Sequence, residues 1–221
     1  MSPIKIAVIT GGHPFDVQPF HALFDALSGI EAYIQHTDEF ASEPDEVRDG
    51  YAAVVFYSML KDTPRDDGLW YTGKPQSAFE RLGERGQGIV ILHHGILAYP
   101  NWAVWDDITG MKGRSMRSYH QNEQVLVEVC DPQHPILRNT SAWEMIDETY
   151  LMDGAVMPDE IPGNHIFLTT PNPHSLKPLG WTRQYQKSRV FCFVSGHGYA
   201  TYANPGFRNV LANGARWSVG G

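Results

Sequence analysis

The 221-residue sequence has few cysteines and little positive charge, and these shortages argue against several classes of protein. Only Cys130 and Cys192 are present, both inside apolar alternating runs, so we expect buried reduced thiols rather than a disulfide. The formal net charge of -8 repels polyanions, which argues against nucleic acid as a partner. No apolar stretch is long enough to span a bilayer, so no membrane partner is expected.

Two further patterns are missing. No charged-then-apolar signal segment precedes the first predicted strand, which favours a cytoplasmic location. The spacing Gly-x-Gly-x-x-Gly is absent around Gly11 and Gly12, so we expect no nucleotide cofactor. The glycine pair still permits a ligand to approach the backbone closely. Asp16, a few residues further on, is expected to cap the following helix.

The first half of the chain alternates apolar, β-branched runs with amphipathic stretches. Helices are predicted around 20–27 and 76–85, between strands at 4–10, 32–35, 52–57 and 89–92. Continuous apolar strands separated by helices favour a mostly parallel sheet that is covered on both faces. The predicted fold class is therefore α/β, with one domain over residues 1–221.

From Gly110 onward the pattern changes to strands joined by turn-rich segments, predicted at 124–130, 145–152, 166–169 and 178–185. No linker separates this half, so we expect a β-rich insertion or edge extension of the sheet. A buried strand returns at 190–195, and Asn204 caps a final helix. Exposed strand edges in this half favour a homo-oligomer.

Two buried strands end abruptly in histidine and glycine. The run 88–92 leads into His93-His94-Gly95, and the run 191–195 leads into Gly196-His197-Gly198. Strand carboxyl ends form the ligand crevice of open α/β sheets, and histidine exchanges protons near neutral pH, so His94 and His197 are the predicted catalytic histidines. In an extended chain His93 and His94 point to opposite faces, so one is structural. The pattern does not decide which one, and His94 is kept as the candidate.

Glu148 is the third predicted catalytic residue. In the strand 145–152 it shares one face with Ile146 and Tyr150, so burial is expected to raise its pKa unless a cation or backbone amides keep it ionised. Capping of a helix or pairing with an arginine is the alternative role. Asp147, on the opposite face, is expected to be solvated.

Histidines at several predicted loops are also candidate metal ligands. His13, in the loop after the first strand, joins His94 and His197 as ligand types that suit a divalent ion such as zinc, and Glu148 is chemically suitable too. The spacing His-x-x-x-His is absent, so the sequence leaves the metal open. His120 is the predicted replacement ligand. Its basic loop, 114–120, is alternatively expected to hold an anionic group or a neighbouring subunit.

Aromatic residues near the predicted crevice suit a carbohydrate ligand, because the C–H faces of sugar rings pack on aromatic rings. Tyr99 and Trp102 closely follow the segment His93-His94-Gly95, and Tyr199 directly follows Gly198. With His13 they are the predicted substrate-binding residues. The spacing of Trp102 and Trp105 fits packing in the core equally well.

Three segments resemble the ThuA-like (trehalose utilization) family: GIVILHHG from Gly88, Asp147–Tyr150 after His134-Pro135-Ile136, and GHGYATYANPGFRNVLANGARW from Gly196. The resemblance implies a flavodoxin-like, doubly wound sheet like that of class I glutamine amidotransferases, and a role in sugar metabolism. Those enzymes hold a nucleophilic cysteine in the sharp turn after a central strand. Here that turn carries His93-His94-Gly95, so glutaminase activity is not expected.

These patterns predict a small-molecule enzyme acting on a sugar or keto-sugar derivative, with hydrolase, lyase and isomerase all open. His94 or His197 is the expected base and Glu148 its partner, and a metal, where bound, polarises a carbonyl or water. The alternative is a noncatalytic sugar-binding or assembly module that kept the amidotransferase-like scaffold. Both hypotheses expect a carbohydrate-type ligand.

Overall fold

One nine-stranded sheet runs through the protein, whose computed structural model describes residues 2–220. The strands are β1 (Ile4–Thr10), β2 (Ile30–His36), β3 (Ala53–Phe56), β4 (Gly88–Leu92), β5 (Met116–Val129), β6 (Trp143–Met152), β7 (His165–Thr169), β8 (Pro178–Tyr185) and β9 (Ser188–Phe193). Their order in the sheet is β2-β1-β3-β4-β9-β8-β7-β5-β6.

The sheet has a parallel half and an antiparallel half. Strands β2, β1, β3, β4 and β9 pair in parallel, whereas β9, β8, β7, β5 and β6 pair antiparallel. Strand β9 belongs to both halves, so the antiparallel strands continue the parallel sheet at one side. This is the edge extension that the turn-rich second half of the sequence predicts.

Helices lie on both faces of the sheet: α1 (Val17–Asp25), α2 (Thr37–Ser42), α3 (Asp45–Arg48), α4 (Pro75–Arg85), α5 (Ala103–Thr109), α6 (Tyr199–Tyr202) and α7 (Pro205–Ser218). The Asn204 side chain accepts a hydrogen bond from the Phe207 amide, as expected of a capping residue at the start of α7. Within residues 2–220, no helix has the length and apolar character needed to cross a membrane.

Strand alternation divides the apolar residues between two cores. Ile6 and Val8 of β1 pack in a core with residues of α1 and α7. Ala7 and Ile9 face the opposite core, which contains residues of α2, α4 and α5. Helices cover both faces, so the parallel strands need apolar residues at nearly every position, which explains their uninterrupted hydrophobic runs.

Strand β5 begins at Met116, so most of the basic segment 114–120 is strand rather than the predicted loop. Its first part carries exposed polar residues on both faces, and therefore lacks the apolar alternation that marks a strand in sequence. The side chain of Arg114 is buried and donates to the carbonyl oxygens of Ile96, Ala98 and Tyr99 and to the Asp106 carboxylate. The Arg114 side chain is therefore committed to the structure and is not free to hold an anion.

Two smaller expectations are wrong. Cys192 is buried in β9 as expected, but Cys130 is exposed at the end of β5, where its Sγ lies 3.2 Å from the Thr169 hydroxyl. Asp16 precedes α1, yet its carboxylate makes no cap to that helix and accepts instead from the Tyr199 amide at the start of α6. The donor lies in α6, far from Asp16 in the sequence, so local spacing does not reveal this contact.

Strand β6 lies at one edge of the sheet, where the sequence predicts an exposed edge suited to a homo-oligomer. Side chains of Asn204 and Thr201 donate to the carbonyl oxygens of Glu144 and Ile146, and a further backbone amide donates to Tyr150. The chain therefore covers part of this edge itself, which is one way in which proteins protect edge strands from pairing.

Candidate active site at the carboxyl edge of the sheet

The two His-Gly segments lie side by side because their strands are neighbours. Strands β4 and β9 pair in parallel with Leu92 opposite Phe193, so the residues that follow both strands emerge at the same carboxyl edge. His93 comes directly after β4, and His197 follows β9 after a short turn. This edge is where ligands bind in open α/β sheets, as the sequence predicts.

His93 occupies a sharp turn. Its φ of 50° is in the left-handed region, which is uncommon for a residue with a side chain and interrupts the alternation of β4. Two residues further on, a Cβ at Gly95 would collide with the Phe56 carbonyl oxygen, so only glycine fits there. The turn points the ring of His93 toward the end of β9, where Nδ1 donates to the Val194 carbonyl oxygen at 3.0 Å.

His93, Glu148 and His197 converge at this edge, and we call them the cleft cluster. His93 Nε2 lies 3.2 Å from His197 Nδ1 and 3.6 Å from Glu148 Oε1, and the last two atoms are 3.4 Å apart. The Tyr150 hydroxyl is 2.6 Å from the same His93 nitrogen. His93 and Glu148 are buried, whereas the His197 side chain is 30% exposed and gives the cluster access to solvent.

The electrostatics of the cluster keep Glu148 ionised. Burial alone would raise the pKa of this carboxyl group, but hydrogen bonding and charge interaction with His93, followed by His197 and Tyr150, lower it to about 2. The pKa of Glu148 is therefore lowered and not raised, because these neighbours keep the carboxylate ionised. Burial also lowers the pKa of His197, with His93 adding to the effect, which favours the neutral imidazole.

Asp147 is buried, which corrects the prediction that it is solvated. Its carboxylate accepts hydrogen bonds from the amides of Gly196 and His197, both at 2.9 Å, and from the Thr201 hydroxyl at 2.8 Å. Adjacent residues of β6 thus serve the site from opposite faces: Glu148 through its contact with the rings, and Asp147 by fixing the backbone of His197.

His94 lies outside the cleft cluster. It is fully buried, and its Nε2 donates to the Tyr57 carbonyl oxygen at 2.7 Å, while Nδ1 has no hydrogen-bond partner among residues 2–220. Burial, followed by repulsion from the charges of His93 and His13, lowers the pKa of His94 to about 2. The geometry thus reverses the expected roles: His93 meets Glu148 and His197, whereas His94 is tied to the backbone.

A cleft of about 490 Å³ opens against the cluster. Its lining includes His13, Glu148 and His197 together with Met116, Tyr119, Gln121 and Tyr150. A smaller cavity of about 150 Å³ shares Glu148 and His197 and extends toward Tyr199, whose side chain is exposed. Two of the predicted substrate-binding residues, His13 and Tyr199, therefore lie on the walls of these cavities.

The other two predicted substrate-binding residues are in the core. Tyr99 is 1% exposed and Trp102 is 7% exposed, and both pack with Trp105 in the core that contains α4 and α5. The helical spacing of Trp102 and Trp105 therefore reflects packing in the core, which was the alternative to a sugar-binding surface. Neither ring lines the cleft beside the cluster.

The predicted replacement ligand His120 belongs to a different group, which we call the surface cluster. It contains His120 and Glu123 of β5 and His174 from the segment between β7 and β8. The two imidazole rings stack 4.4 Å apart, and His174 Nδ1 lies 3.1 Å from Glu123 Oε1. The His174 side chain is 49% exposed.

Sequence reasoning did not identify Tyr150, Tyr119 and Gln121 as functional candidates. Tyr150 shares the alternating face of Glu148, a signal that points to it, yet an aromatic residue on a buried face is usually core. Tyr119 and Gln121 lie in the first part of β5, which has no apolar pattern. Gln121 donates from its Nε2 to Glu148 Oε2 at 3.3 Å, so this stretch also supports the site.

The fold belongs to the glutamine amidotransferase-like class. A glutamine amidotransferase of Thermotoga maritima superimposes with a TM-score of 0.64 at 10% identity, with 100% of each chain covered. A ThuA-like protein of Parabacteroides merdae gives a TM-score of 0.76 at 20% identity, covering 99% of this chain and 91% of the other. A cytoplasmic protein of Salmonella typhimurium gives 0.65 at 12% identity, with 97% and 98% covered.

The sequence itself identifies the family. The model of the ThuA family, described as trehalose utilisation, matches residues 8–218, so the chain belongs to that family. Membership connects the protein with sugar utilisation. Comparison with curated proteins gives no match.

Within the shared fold, the turn after β4 carries His93 and no cysteine. Cys192 is buried inside β9, and burial raises the pKa of its thiol far above the usual value. Cys130 lies at the end of β5, a strand of the antiparallel half. Neither thiol is at the turn, so the chain offers no thiolate at the position from which an amidotransferase cysteine attacks glutamine.

Proposed function

We propose that this protein is an enzyme that acts on a sugar or keto-sugar derivative in the cleft beside the cleft cluster. The observation that carries the proposal is the convergence of His93, Glu148 and His197, of which Glu148 and His197 line a cavity of about 490 Å³. An ionised carboxylate beside two imidazoles is suited to proton transfer, and a ligand-sized cavity gives a substrate access to it.

Aromatic and polar groups on the cleft walls support a carbohydrate ligand. Tyr119 and Tyr199 expose more than half of their side chains, and offer ring faces on which the C–H groups of a sugar can pack. Gln121, Asp16 and His13 supply hydrogen-bonding groups for hydroxyls. The family description, trehalose utilisation, agrees with a ligand of this class.

The cluster drives this chemistry in one of two ways. In the first, His197 exchanges the proton from the exposed side of the cluster, and Glu148 orients it or stabilises its charged form. In the second, a bound divalent ion polarises a substrate carbonyl or activates a water. Both fit a hydrolase, a lyase or an isomerase, and both need a keto-sugar or sugar derivative within reach of the cluster.

A turnover screen with disaccharides and keto-sugars tests the proposal. The wild-type chain is expected to turn over one of these compounds. His197→Ala is expected to lose turnover, while the melting temperature of the chelator-treated protein stays nearly unchanged because the ring is partly exposed. A fully active His197→Ala variant would contradict the proposal. Ligand binding without turnover would instead support the noncatalytic sugar-binding or assembly module.

We infer that the parallel strands form a flavodoxin-like, doubly wound unit, since their order is β2-β1-β3-β4-β9 and helices lie on both faces. In such a unit the ligand crevice lies at the carboxyl edge, which supports the cleft as the active site.

We also propose a cytoplasmic location and a homo-oligomeric state. A cytoplasmic location agrees with the description of the similar fold from Salmonella typhimurium. A homo-oligomer needs a surface other than the part of β6 that the chain covers itself. Light scattering of the purified chain measures this state directly.

A further inference from the structure

We propose that His93 Nε2, His197 Nδ1 and Glu148 Oε1 form a three-ligand site for a divalent ion of the zinc class, with a fourth position open to the cleft. The ligand set differs from the one that the sequence predicts. His93 takes the place of His94, and Glu148 of β6 is the third ligand. The inference deepens the proposed function, whose active site it supplies with a metal.

The spacing of the three atoms fits a tetrahedral ion. Bonds of about 2.0–2.1 Å at tetrahedral angles place two ligand atoms about 3.3–3.4 Å apart. The observed separations of 3.2, 3.4 and 3.6 Å bracket this value. An octahedral ion with similar bonds needs neighbouring ligands about 3.0 Å apart, which is shorter than any of the three.

The tautomer of His93 is already the one that a metal needs. Its Nδ1 donates to the Val194 carbonyl oxygen at 3.0 Å, so in the neutral ring the lone pair is on Nε2, the atom that faces the other two ligands. A carbonyl oxygen bound to the far nitrogen of a histidine is the common supporting contact in metal sites. His94 has the opposite arrangement: its Nε2 donates to the backbone, and it contributes no atom to the cluster.

The charge of Glu148 points the same way. Its side chain is 6% exposed, and within residues 2–220 its ion-pair partners are the two histidines, without a lysine or arginine. A buried carboxylate needs a compensating positive charge. A divalent ion supplies that charge while both histidines stay neutral.

The position of the cluster leaves room for a substrate or water on the ion. Glu148 and His197 line both the 490 Å³ cleft and the smaller cavity beside it, whereas His93 is buried behind them. Three protein ligands with the fourth position open are the arrangement of catalytic rather than structural zinc sites. A ligand reaching from either cavity meets the ion at this open position.

Equilibrium dialysis of the chelator-treated chain against zinc chloride tests the site without any substrate. We expect one Zn²⁺ per wild-type chain, and an affinity at least about 100-fold weaker in Glu148→Gln, because a charged ligand is lost. Two matched controls keep wild-type affinity: His21→Ala on the exposed surface of α1, and His174→Ala in the surface cluster. Far-UV circular dichroism verifies folding, and His197→Ala serves as the second variant because its ring is partly exposed.

The proposal is overturned if the folded wild-type chain takes up no stoichiometric zinc, or if Glu148→Gln and His197→Ala both bind it with wild-type affinity. Loss of binding in His174→Ala would assign the ion to the surface cluster instead. The visible spectrum of a Co²⁺-loaded chain checks the geometry, because tetrahedral Co²⁺ absorbs far more strongly than octahedral Co²⁺. Stoichiometric zinc uptake without turnover on any sugar would refute the proposed enzyme alone, and turnover by a chain that takes up no zinc would refute this site alone.

Discussion

The cleft cluster and the surface cluster contain the same residue types, two histidines and one glutamate, in very different surroundings. In the cleft cluster His93 and Glu148 are buried and the ring of His93 is fixed by Val194. In the surface cluster the His174 side chain is about half exposed, and Glu123 also accepts a hydrogen bond from the side-chain Nδ2 of Asn172. Composition does not distinguish them; burial, a fixed tautomer and an adjoining cavity do.

The backbone beneath the clusters differs as well. His93 sits in a turn with positive φ, and two backbone amides near His197 donate to Asp147. The surface cluster lies where β5 is irregular, with a shift of register between His120 and Glu123. A site held by buried hydrogen bonds keeps its geometry, whereas an exposed ion pair contributes little to stability.

The largest difference is expected when each cluster loses its carboxylate. Glu148→Gln removes the negative charge that either orients His197 or binds an ion, so turnover should fall roughly a thousandfold. Glu123→Gln, the matched change in the surface cluster, should leave turnover within twofold of wild type. Steady-state kinetics on the substrate found by the screen measures the turnover of both variants. Equal losses would contradict the assignment of catalysis to the cleft cluster alone.

The next effect is on stability. Asp147→Ala leaves the buried amides of Gly196 and His197 and the Thr201 hydroxyl without their acceptor, and we expect a loss of about 2–4 kcal/mol in unfolding free energy. Asp67→Ala, in an exposed loop, is the control and should change stability by less than about 0.5 kcal/mol. Urea denaturation compares the two, and similar losses would show that Asp147 does not hold the edge together.

A smaller effect concerns pH. Burial lowers the pKa of His134, which lies outside both clusters, below its ordinary value of 6.5. The unfolded chain therefore binds the proton more readily, so this residue stabilises the fold above pH 6.5 and the contribution is lost as the pH falls. His134→Asn keeps an acceptor for the Ile136 amide, and should make the fall in unfolding free energy between about pH 7 and 5 shallower. An unchanged slope would contradict the direction of the shift.

The smallest effect is expected for His174→Ala. This change removes the contact with Glu123 and the stack on His120, both at the surface, so unfolding free energy should move by less than about 0.5 kcal/mol. Thermal melts with and without added zinc measure it. A change of several degrees in the melting temperature, or a change that depends on zinc, would show that the surface cluster stabilises the fold or binds the ion.

The sequence predicts the parallel half well because burial on both faces leaves a strong signal. The runs at β1 and β4 are apolar at nearly every position, and Gly95 and Gly196 mark where each strand at the site ends. Neighbouring strand ends share an edge, which predicts His197, and the alternation of apolar residues in β6 predicts Glu148. The family resemblance implies the class of fold. The match over residues 8–218 confirms the family, and the superposition on a glutamine amidotransferase supports the class of fold.

The rest depends on contacts between residues far apart in the chain. Alternation assumes an extended backbone, and the positive φ of His93 breaks it at the one position where the choice between His93 and His94 is made. The donors to Asp147 come from about fifty residues away, so no local pattern marks it as buried. The first part of β5 is polar on both faces, so Tyr119 and Gln121 carry no strand signal.

Anomalous diffraction from crystals soaked in zinc chloride tests the central claim, that the cleft cluster is a metal centre, most directly. The account predicts one strong peak about 2.0–2.1 Å from His93 Nε2, His197 Nδ1 and Glu148 Oε1, with its open side toward the cleft. A peak between His120 and His174 with none at the cleft cluster, or no peak at either cluster, would contradict it.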